Sequence, residues 1–352
     1  MTRPGPVANP VAWTRPEDLI AAGLAPPGAR ALLERLDETF RIRVPPALQA
    51  ALVSPEDPVG RQVLPTAAEL EVGPAALHDP IGDRAHAPVE GLTHRYPDRV
   101  ILHLTQTCAV YCRFCFRRET VGATGHLPEP ALAAALDYVA RTPAIREVIL
   151  TGGDPLVLSP RRIAAVAARV AEIASVDALR VHTRIPVVAP ERIDAAMIAA
   201  LKAHPAPRIV IHTNHAQELT PDARAAIGRL VAAGIPLLSQ SVLLRGVNDS
   251  AAALDELWRA LGRLGVTPYY LHHCDLARGA EHFRTTIAEG RALIASLRGR
   301  IPGHLLARYV LDIPGGFGKV PLDADHAQEV APGQWRITDV SGGVHDYADP
   351  LR

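Results

Sequence analysis

Val100-Ile-Leu-His-Leu-Thr105-Gln-Thr-Cys108-Ala-Val-Tyr-Cys112-Arg-Phe-Cys115 is the stretch that decides the fold of this 352-residue chain. Its first half is an apolar run typical of a β-strand, and its second half holds three of the four cysteines. We therefore expect a strand whose exit loop carries the cysteines. Three thiolates at Cys-x3-Cys-x2-Cys spacing suit three corners of a [4Fe–4S] cluster and leave the fourth iron open for a ligand.

Two other interpretations of the cysteines compete with the cluster. A structural zinc site uses four ligands, and the sequence contains no second cysteine pair that could complete one. Cysteines are also common as small buried residues. The spacing favours the cluster, and its structural context decides between the three.

Charge and composition exclude several classes of protein. Lys plus Arg and Asp plus Glu each number 37, so the formal net charge is zero. A general role in binding nucleic acid or a membrane surface, which needs a positive field, is therefore not expected. No apolar run reaches the length of a membrane span, and the N-terminus lacks the apolar core of a signal peptide. Clustered cysteines do not form a disulfide framework, which favours a reducing cytoplasm.

The chain changes character near residue 90. Residues 1–90 are rich in proline and carry helical periodicity, which predicts a small helical cap. From residue 99 apolar runs and helical runs alternate. Strands are predicted at 100–105, 147–151, 179–183, 209–213, 237–243 and 268–272. Helices are predicted at 129–140, 160–173, 190–203, 221–233, 250–264 and 285–297.

Six successive βα units imply parallel strands joined by right-handed crossovers. The polar candidate residues follow strands, and in a βα barrel that end of the sheet carries the active site. An open doubly wound sheet is the alternative, but no Gly-x-Gly-x-x-Gly sequence follows the first strand. We expect an α/β fold with a partial (βα)6 TIM-like barrel. A seventh apolar run covers 305–311, and the tail from Leu322 onward is predicted to be irregular.

Two kinds of polar loop follow the predicted strands. Thr151-Gly-Gly-Asp-Pro155 follows the second strand, where the glycines permit close approach of the backbone to a ligand; an ordinary turn is the alternative. Asp275 and Asp312 each end a strand, and two carboxylates at one barrel mouth can bind a metal ion or an ammonium group. A single aspartate at such a position is more often a turn or a helix cap.

The cysteine spacing and the Gly-Gly loop together resemble the radical S-adenosylmethionine (SAM) enzymes. The resemblance implies that Cys108, Cys112 and Cys115 bind the cluster, whose open iron binds the methionine end of SAM. It further implies that Gly152, Gly153 and Asp154 lie against the methionine end of SAM. His212 and Gln240 match family positions that contact SAM.

Further blocks narrow the resemblance to the lysine 2,3-aminomutase family. They occur in the family order and are Gly91-Leu-Thr-His-Arg-Tyr-Pro-Asp-Arg99, Cys115-Phe-Arg-Arg118, His272-His-Cys-Asp-Leu276, His282-Phe-Arg-Thr-Thr286 and Asp312-Ile-Pro-Gly-Gly-Phe-Gly-Lys319. The resemblance implies a helical cap at 1–90, a radical SAM partial barrel at 91–302 and a C-terminal segment at 303–352. That segment would carry the lysine that binds pyridoxal 5′-phosphate (PLP).

The family resemblance also assigns roles around the second cofactor. Lys319, one of only two lysines in the chain, would bind PLP covalently, although taken alone its Gly-rich turn is a surface loop. Arg117 would bind the substrate carboxylate; compensation of the cluster charge, which Arg113 or Arg118 could supply, is the alternative. The remaining assignments are Arg95, Tyr96 and Arg99 at PLP, and Asp275 and Asp312 at the terminal ammonium of the substrate.

The implied activity is an isomerase reaction that interconverts L-lysine and β-lysine by 1,2-amino migration, started by a 5′-deoxyadenosyl radical. A flavodoxin or ferredoxin-type reductant and a homo-oligomeric assembly are expected with it. Two alternatives remain. The compact length resembles the branch that acts on a protein-bound lysine of elongation factor P, although that branch does not keep the Asp312 pattern. A catalytically silent iron–sulfur protein is the other.

Overall fold

The computed structural model describes residues 11–323, 326–332, 334–339 and 342–348. Its helices are α1 Pro16–Ala21, α2 Arg30–Thr39, α3 Pro46–Ala51, α4 Pro58–Val63, α5 Glu129–Ala140, α6 Pro160–Ala171, α7 Ile185–Val188, α8 Ala195–Leu201, α9 Pro221–Ala232, α10 Ala251–Arg263 and α11 Ile287–Leu297. Its strands are β1 Leu92–Tyr96, β2 Arg99–Thr105, β3 Glu147–Gly152, β4 Ala178–Thr183, β5 Pro207–His212, β6 Leu237–Leu243, β7 Thr267–His273, β8 Arg308–Asp312, β9 Lys319–Pro321, β10 Ala327–Ala331, β11 Gln334–Thr338 and β12 Val344–Ala348.

One nine-stranded sheet organises the molecule, with its strands in sequence order from β1 to β9. Strands β2 to β8 pair in parallel, whereas β1 and β9 pair antiparallel with their neighbours and flank the parallel part. Six helical crossovers join the seven parallel strands. This is the partial barrel that the alternation of strands and helices predicts, and the α/β class is confirmed.

Alternating side chains explain how the sheet presents a polar interior. In β2, Leu102 and Leu104 are buried in the hydrophobic core, while the intervening His103 points to the opposite face. The same alternation places Val181 in the core and His182 on the other face of β4. Successive strands therefore line the barrel interior with histidines and other polar groups, while their apolar side chains pack under the helices.

One predicted helix differs from the structure. The stretch 190–203 divides into a 3-10 turn at Pro190–Arg192 and the shorter helix α8. Asp194 ends the turn and caps α8, since its Oδ1 accepts a hydrogen bond of 2.7 Å from the Met197 N–H. Helical periodicity cannot reveal such a break, because an Asp cap competes locally with continuation of the helix.

The N-terminal helices pack against the barrel. Leu19, Leu48 and Val63 of the cap belong to the same hydrophobic cluster as the core-facing residues of β2 and β3. The first ten residues of the predicted cap lie outside the described part of the chain.

The prediction of an irregular tail is wrong for the described residues after Leu322. Strands β10, β11 and β12 form a separate antiparallel sheet. Most of their side chains are exposed, and β11 alone among the three places two partly buried apolar residues, Trp335 and Ile337, at alternate positions. Such weak patterning does not mark the strands in the sequence, and backbone pairing holds them together. Among the described residues, no helix is long and apolar enough to cross a bilayer.

Candidate active site

A glycine-rich hairpin brings Lys319 opposite Asp312. The two residues are register partners of β8 and β9, and the Ile313 N–H donates to the Gly318 carbonyl at 2.8 Å to close the turn. Gly315, Gly316 and Gly318 within it have φ values of 84°, 87° and 93°, which favour glycine. The Lys319 Nζ consequently lies 2.5 Å from Asp312 Oδ2.

Asp312 is surrounded by donors. His272 Nδ1 lies 3.0 Å from its Oδ2, and Arg95 Nη1 lies 3.8 Å from its Oδ1. Burial alone would raise the pKa of this carboxyl group, but the His272 hydrogen bond and the Lys319 charge hold the pKa well below its usual range. Asp312 is therefore a stable anion, paired with an amine.

Asp275, just beyond β7, is the opposite case. Within the described residues its carboxylate makes no hydrogen bond or ion pair. Burial, and then the nearby charge of Asp312, raise the pKa of Asp275 to about 7, although Lys319 and Arg117 act in the other direction. This half-buried carboxylate therefore has no cation paired with it among the described residues.

A second carboxylate bridges two arginines at the side of the site nearest the cysteines. Asp83 Oδ2 accepts from Arg117 Nε and Nη2 at 3.0 and 2.8 Å, and its Oδ1 accepts from Arg95 Nη2 at 3.0 Å. Burial would raise the pKa of Asp83, but Arg117 and the other nearby cations lower it. A cavity of about 180 Å³ lies beside Arg117, with Asp83, His103 and Phe116 in its lining.

Tyr96 and Arg99 lie on the other side of Lys319. The Lys319 N–H donates to the Tyr96 hydroxyl at 2.8 Å, and the Arg99 guanidinium stacks 4.0 Å from the centre of the Tyr96 ring. Among the described residues, Arg99 forms one ion pair, with the exposed Asp98 at 2.8 Å. Arg95 is turned away from this pair, toward Asp83 and Asp312.

The three clustered cysteines lie together on the loop after β2, with free thiols. Burial raises the pKa of Cys115 to about 11, and the neighbouring Cys112 contributes to the rise. Thiolates here therefore require a cation, as iron would provide. No group of three His, Cys, Asp or Glu side chains in the described ranges could hold one metal ion. A [4Fe–4S] cluster would bind each of the three thiolates at a different iron.

The Gly-Gly loop packs directly on the cysteine loop. A Cβ on Gly152 would lie 2.6 Å from the Thr105 carbonyl oxygen, and one on Gly153 would lie 2.3 Å from that of Thr107. The N–H groups of Gly153 and Asp154 donate to the same two carbonyls. The Gly153 carbonyl accepts no hydrogen bond from the described residues, so it can receive one from an amino group.

The Asp154 side chain braces this loop against the next strand. Its Oδ2 accepts from the Arg184 N–H at 2.6 Å, and its Oδ1 accepts from the Thr183 hydroxyl at 2.7 Å and from the Leu156 N–H at 3.0 Å. The carboxylate is thus committed to the protein. Asp154 lies in the loop where the sequence predicts it, and what it offers a ligand there is its backbone.

His212 and Gln240 are register partners on β5 and β6 and share the interior face of the sheet. His212 Nε2 lies 3.1 Å from His182 Nδ1. Burial, and then the cations nearby, lower the pKa of His212 to about 3, so this imidazole is neutral. The pair can offer hydrogen bonds to a neutral ligand without adding charge.

Three residues of the site escape the sequence-based predictions. Asp83 lies in the segment 1–90 interpreted as a helical cap, and His182 and Arg184 lie at the end of β4. The Arg184 Nη1 lies 2.7 Å from the Cys112 sulfur. The strand-end rule that selected His212 and Gln240 applies equally to β4 and would have selected both; Asp83 carries no comparable signal.

Comparison with known proteins agrees with this geometry. The family model described as the Radical SAM superfamily matches residues 102–257. The chain is 40% identical over 298 residues to the L-lysine 2,3-aminomutase of Clostridium subterminale, covering 84% of this chain and 72% of that one. The corresponding enzyme of Fusobacterium nucleatum is 37% identical over 316 residues, covering 89% and 74%. The glutamate 2,3-aminomutase of Clostridioides difficile is 34% identical over 294 residues, covering 82% and 69%.

These similarities confirm the family, the enzyme class and the cluster and SAM cofactors that the sequence motifs predict. The chain belongs to the lysine 2,3-aminomutase family of radical SAM enzymes, isomerases that use an iron–sulfur cluster and SAM to move an amino group.

Proposed function

We propose that this chain interconverts L-lysine and β-lysine. The observation that carries the proposal is the half-buried Asp275 carboxylate, which lies near Asp312 without a partner in the described residues and has a pKa raised to about 7. A substrate ammonium group supplies the missing cation. A substrate with an acidic side chain would add a third negative group at the same place, which the local electrostatics oppose.

The opposite end of the site fits the other charged group of lysine. Arg117 presents a planar guanidinium suited to bidentate carboxylate binding, next to a cavity. Asp83 holds two of its nitrogen atoms and fixes its orientation. Lysine would then lie between Arg117 and the aspartate pair, which sets both the direction and the length of the bound molecule.

The residues around Lys319 fit PLP. Lys319 is half-buried, and its amine is paired with the Asp312 carboxylate. Arg95 has a buried Nε without a partner in the described residues, and the Arg99 guanidinium lies over Tyr96; both donors suit an anionic cofactor. When bound, PLP would act as an electron sink for the migrating amino group. The protein residues orient the substrate amine toward Lys319.

The cluster and SAM occupy the other side in this proposal. Cys108, Cys112 and Cys115 would bind three irons, and the Gly152 to Asp154 loop would receive the amino group of SAM. Held there, the cluster and SAM would together supply the 5′-deoxyadenosyl radical, with one electron coming from the external reductant and methionine as the other product. His212 and Gln240 would contact SAM from the barrel interior, where burial excludes the water that would quench reactive species.

Other features of the whole protein belong to the same proposal. We propose a flavodoxin or ferredoxin-type reductant, a homo-oligomer and a cytoplasmic location, supported by the need for low-potential electrons and by the free cysteines. We also propose the division into a cap at 1–90, a barrel at 91–302 and a PLP-lysine segment at 303–352. The last boundary falls between α11 and β8.

The test is a substrate screen on anaerobically reconstituted protein with dithionite, SAM and PLP. Free L-lysine, L-glutamate, L-arginine and elongation factor P are supplied separately, and the position of the amino group is read by NMR. We expect turnover of free L-lysine and none of L-glutamate. Preference for the lysyl side chain of elongation factor P would replace the free-lysine proposal, and inactivity toward all four would contradict an aminomutase role.

A further inference from the structure

Arg184 contacts a cysteine of the cluster loop and has not been given a role above. It follows β4 and is 7% exposed. Its Nη1 donates to the Cys112 sulfur at 2.7 Å, the only side-chain hydrogen bond to the three clustered sulfurs in the described ranges. Arg113 and Arg118, the other buried arginines nearby, donate instead to Glu69, at 2.6 and 2.8 Å.

A buried polar network fixes the Arg184 guanidinium in this position. Its Nη2 donates to Glu218 Oε2 at 2.6 Å and to Gln62 Oε1 at 2.7 Å. The other Glu218 oxygen accepts from Gln62 Nε2 at 3.0 Å and from the Asn214 N–H at 2.8 Å. Because Glu218 and Gln62 both hold Nη2, the guanidinium cannot turn away from the sulfur without breaking its ion pair with Glu218.

The network also ties Arg184 to the loop proposed to receive SAM. Its N–H donates to Asp154 Oδ2, and the Asp154 N–H in turn donates to the Thr107 carbonyl next to Cys108. The donor to Cys112, the Gly-Gly loop and the cysteine loop are thus parts of one hydrogen-bonded unit. A rigid donor of this kind keeps its orientation when the charge at the sulfur changes.

We propose that Arg184 is a positioning residue that raises the reduction potential of the cluster. Reduction adds negative charge to the cluster and its thiolates, and a charged donor beside a ligand sulfur stabilises the reduced state more than the oxidised one. Glu218 pairs with Nη2, the nitrogen of the guanidinium that does not contact the sulfur. Its negative charge weakens the positive potential of Arg184 at the cluster without cancelling it. The inference rests on the proposed ligation by Cys112 and does not depend on which amino acid is the substrate.

The experiment is a spectroelectrochemical titration of the anaerobically reconstituted protein without SAM, with reduced cluster counted by EPR. The variants are Arg184→Gln and Arg184→Lys. Arg192→Gln is the matched control, because Arg192 lies eight residues after Arg184. Among the described residues its guanidinium donates only to backbone carbonyls, such as that of Leu156.

At a fixed poise, Arg184→Gln is expected to lower the ratio of reduced to oxidised cluster about tenfold, which corresponds to roughly 59 mV for one electron. Arg184→Lys keeps a charge but loses the fixed geometry, so its reduction potential should lie between those of Arg184→Gln and the unchanged protein. Arg192→Gln should match the unchanged protein. An Arg184→Gln protein with full iron content and an unchanged potential would overturn the proposal.

A second variant keeps the test decisive if Arg184→Gln does not fold or bind iron. Glu218→Gln leaves the Arg184 charge uncompensated beside Cys112, so the potential should shift upward, opposite in sign to Arg184→Gln. No shift, or a downward shift, in Glu218→Gln would refute the role of Arg184. Absence of iron from the unchanged protein would instead contradict the cluster assignment itself.

Discussion

The ends of β7 and β8 each carry an aspartate that faces the site, Asp312 buried and Asp275 half-buried, and the two differ in their partners and in their pKa. Asp312 is paired with Lys319 and His272, and its pKa is held far below the usual range. Asp275 has no such partners in the described part of the molecule, and its pKa rises to about 7. One carboxylate is thus paired with the protein's own amine, while the other has no cation among the described residues, and our proposal gives it the substrate ammonium group.

Removing Lys319 should produce the largest effect, because it removes the cation that distinguishes Asp312 from Asp275. Lys319→Ala is expected to abolish turnover and the covalent attachment of PLP. Borohydride reduction followed by mass spectrometry of peptides measures the attachment. The chain has one other lysine, the exposed Lys202, so Lys202→Ala is the matched control and should retain the adduct. An adduct that survives in Lys319→Ala would contradict the assignment.

Asp312→Asn should come next. Lys319 and His272 lose their anion, and hydrogen bonds to charged groups contribute about 1.5–3 kcal/mol, so the free energy of unfolding should fall by about 2 kcal/mol. Turnover of lysine should fall as well, since the neutral amide no longer attracts the substrate ammonium. Chemical denaturation and steady-state kinetics measure the two effects. Unchanged stability would mean that the pair with Lys319 is not formed in solution.

Asp275→Asn should separate binding from stability. The loss of a charged contact to the substrate should lower kcat/KM for lysine by roughly 10- to 100-fold. Stability near pH 8 should not fall, because partial burial without a partner disfavours the charged form of this carboxylate. A loss of stability as large as that of Asp312→Asn would remove the contrast between the two residues.

The pH dependence sharpens the same contrast. The pKa of Asp275 is about 7 in the folded chain and about 4 when unfolded, so the folded state binds more protons between these values. The contribution of Asp275 to the free energy of unfolding therefore falls as the pH rises from about 4 to 7. The kcat/KM for lysine should instead increase through pH 7 as the carboxylate forms. Asp275→Asn should flatten both profiles, and an unchanged kinetic profile would assign the titration to another group.

Tyr96→Phe should have the smallest effect. It removes the hydroxyl that accepts from the Lys319 N–H but keeps the ring under Arg99. One neutral hydrogen bond contributes about 1 kcal/mol, so kcat should change by about fivefold or less. Steady-state kinetics with saturating PLP would reveal the change, and a loss approaching that of Lys319→Ala would imply a direct chemical role for the hydroxyl.

Sequence patterns predict the scaffold, and they place the charged candidate residues near the ends of strands, for physical reasons that can be named. The core strands alternate strongly, and Asp275, Asp312 and Lys319 follow strands at the mouth where polar residues are expected. Strand β1 and the sheet of β10 to β12 are missed, because short or exposed strands are held by backbone pairing rather than by an apolar pattern.

The polar network could not be predicted for a different reason. Arg184 and Gln62 are 122 positions apart in the sequence, and Asp83 is 34 positions from Arg117. Side-chain pairs at such separations leave no local signature in one sequence. The same holds for the opposite pKa shifts of the two aspartates, since each shift depends on which groups the fold brings near.

The glycine hairpin between β8 and β9 has a consequence for evolution and engineering. Asp312 and Lys319 are joined by a turn whose length fixes their register. The amine and its counterion therefore form one structural unit and are expected to be inherited together. Adding or deleting a single residue in the turn would rotate Lys319 to the other face of the ribbon. Diversity of substrate in this scaffold is therefore expected to arise at Asp275 and Arg117, which can vary independently, while the length of the 313–318 turn stays constant.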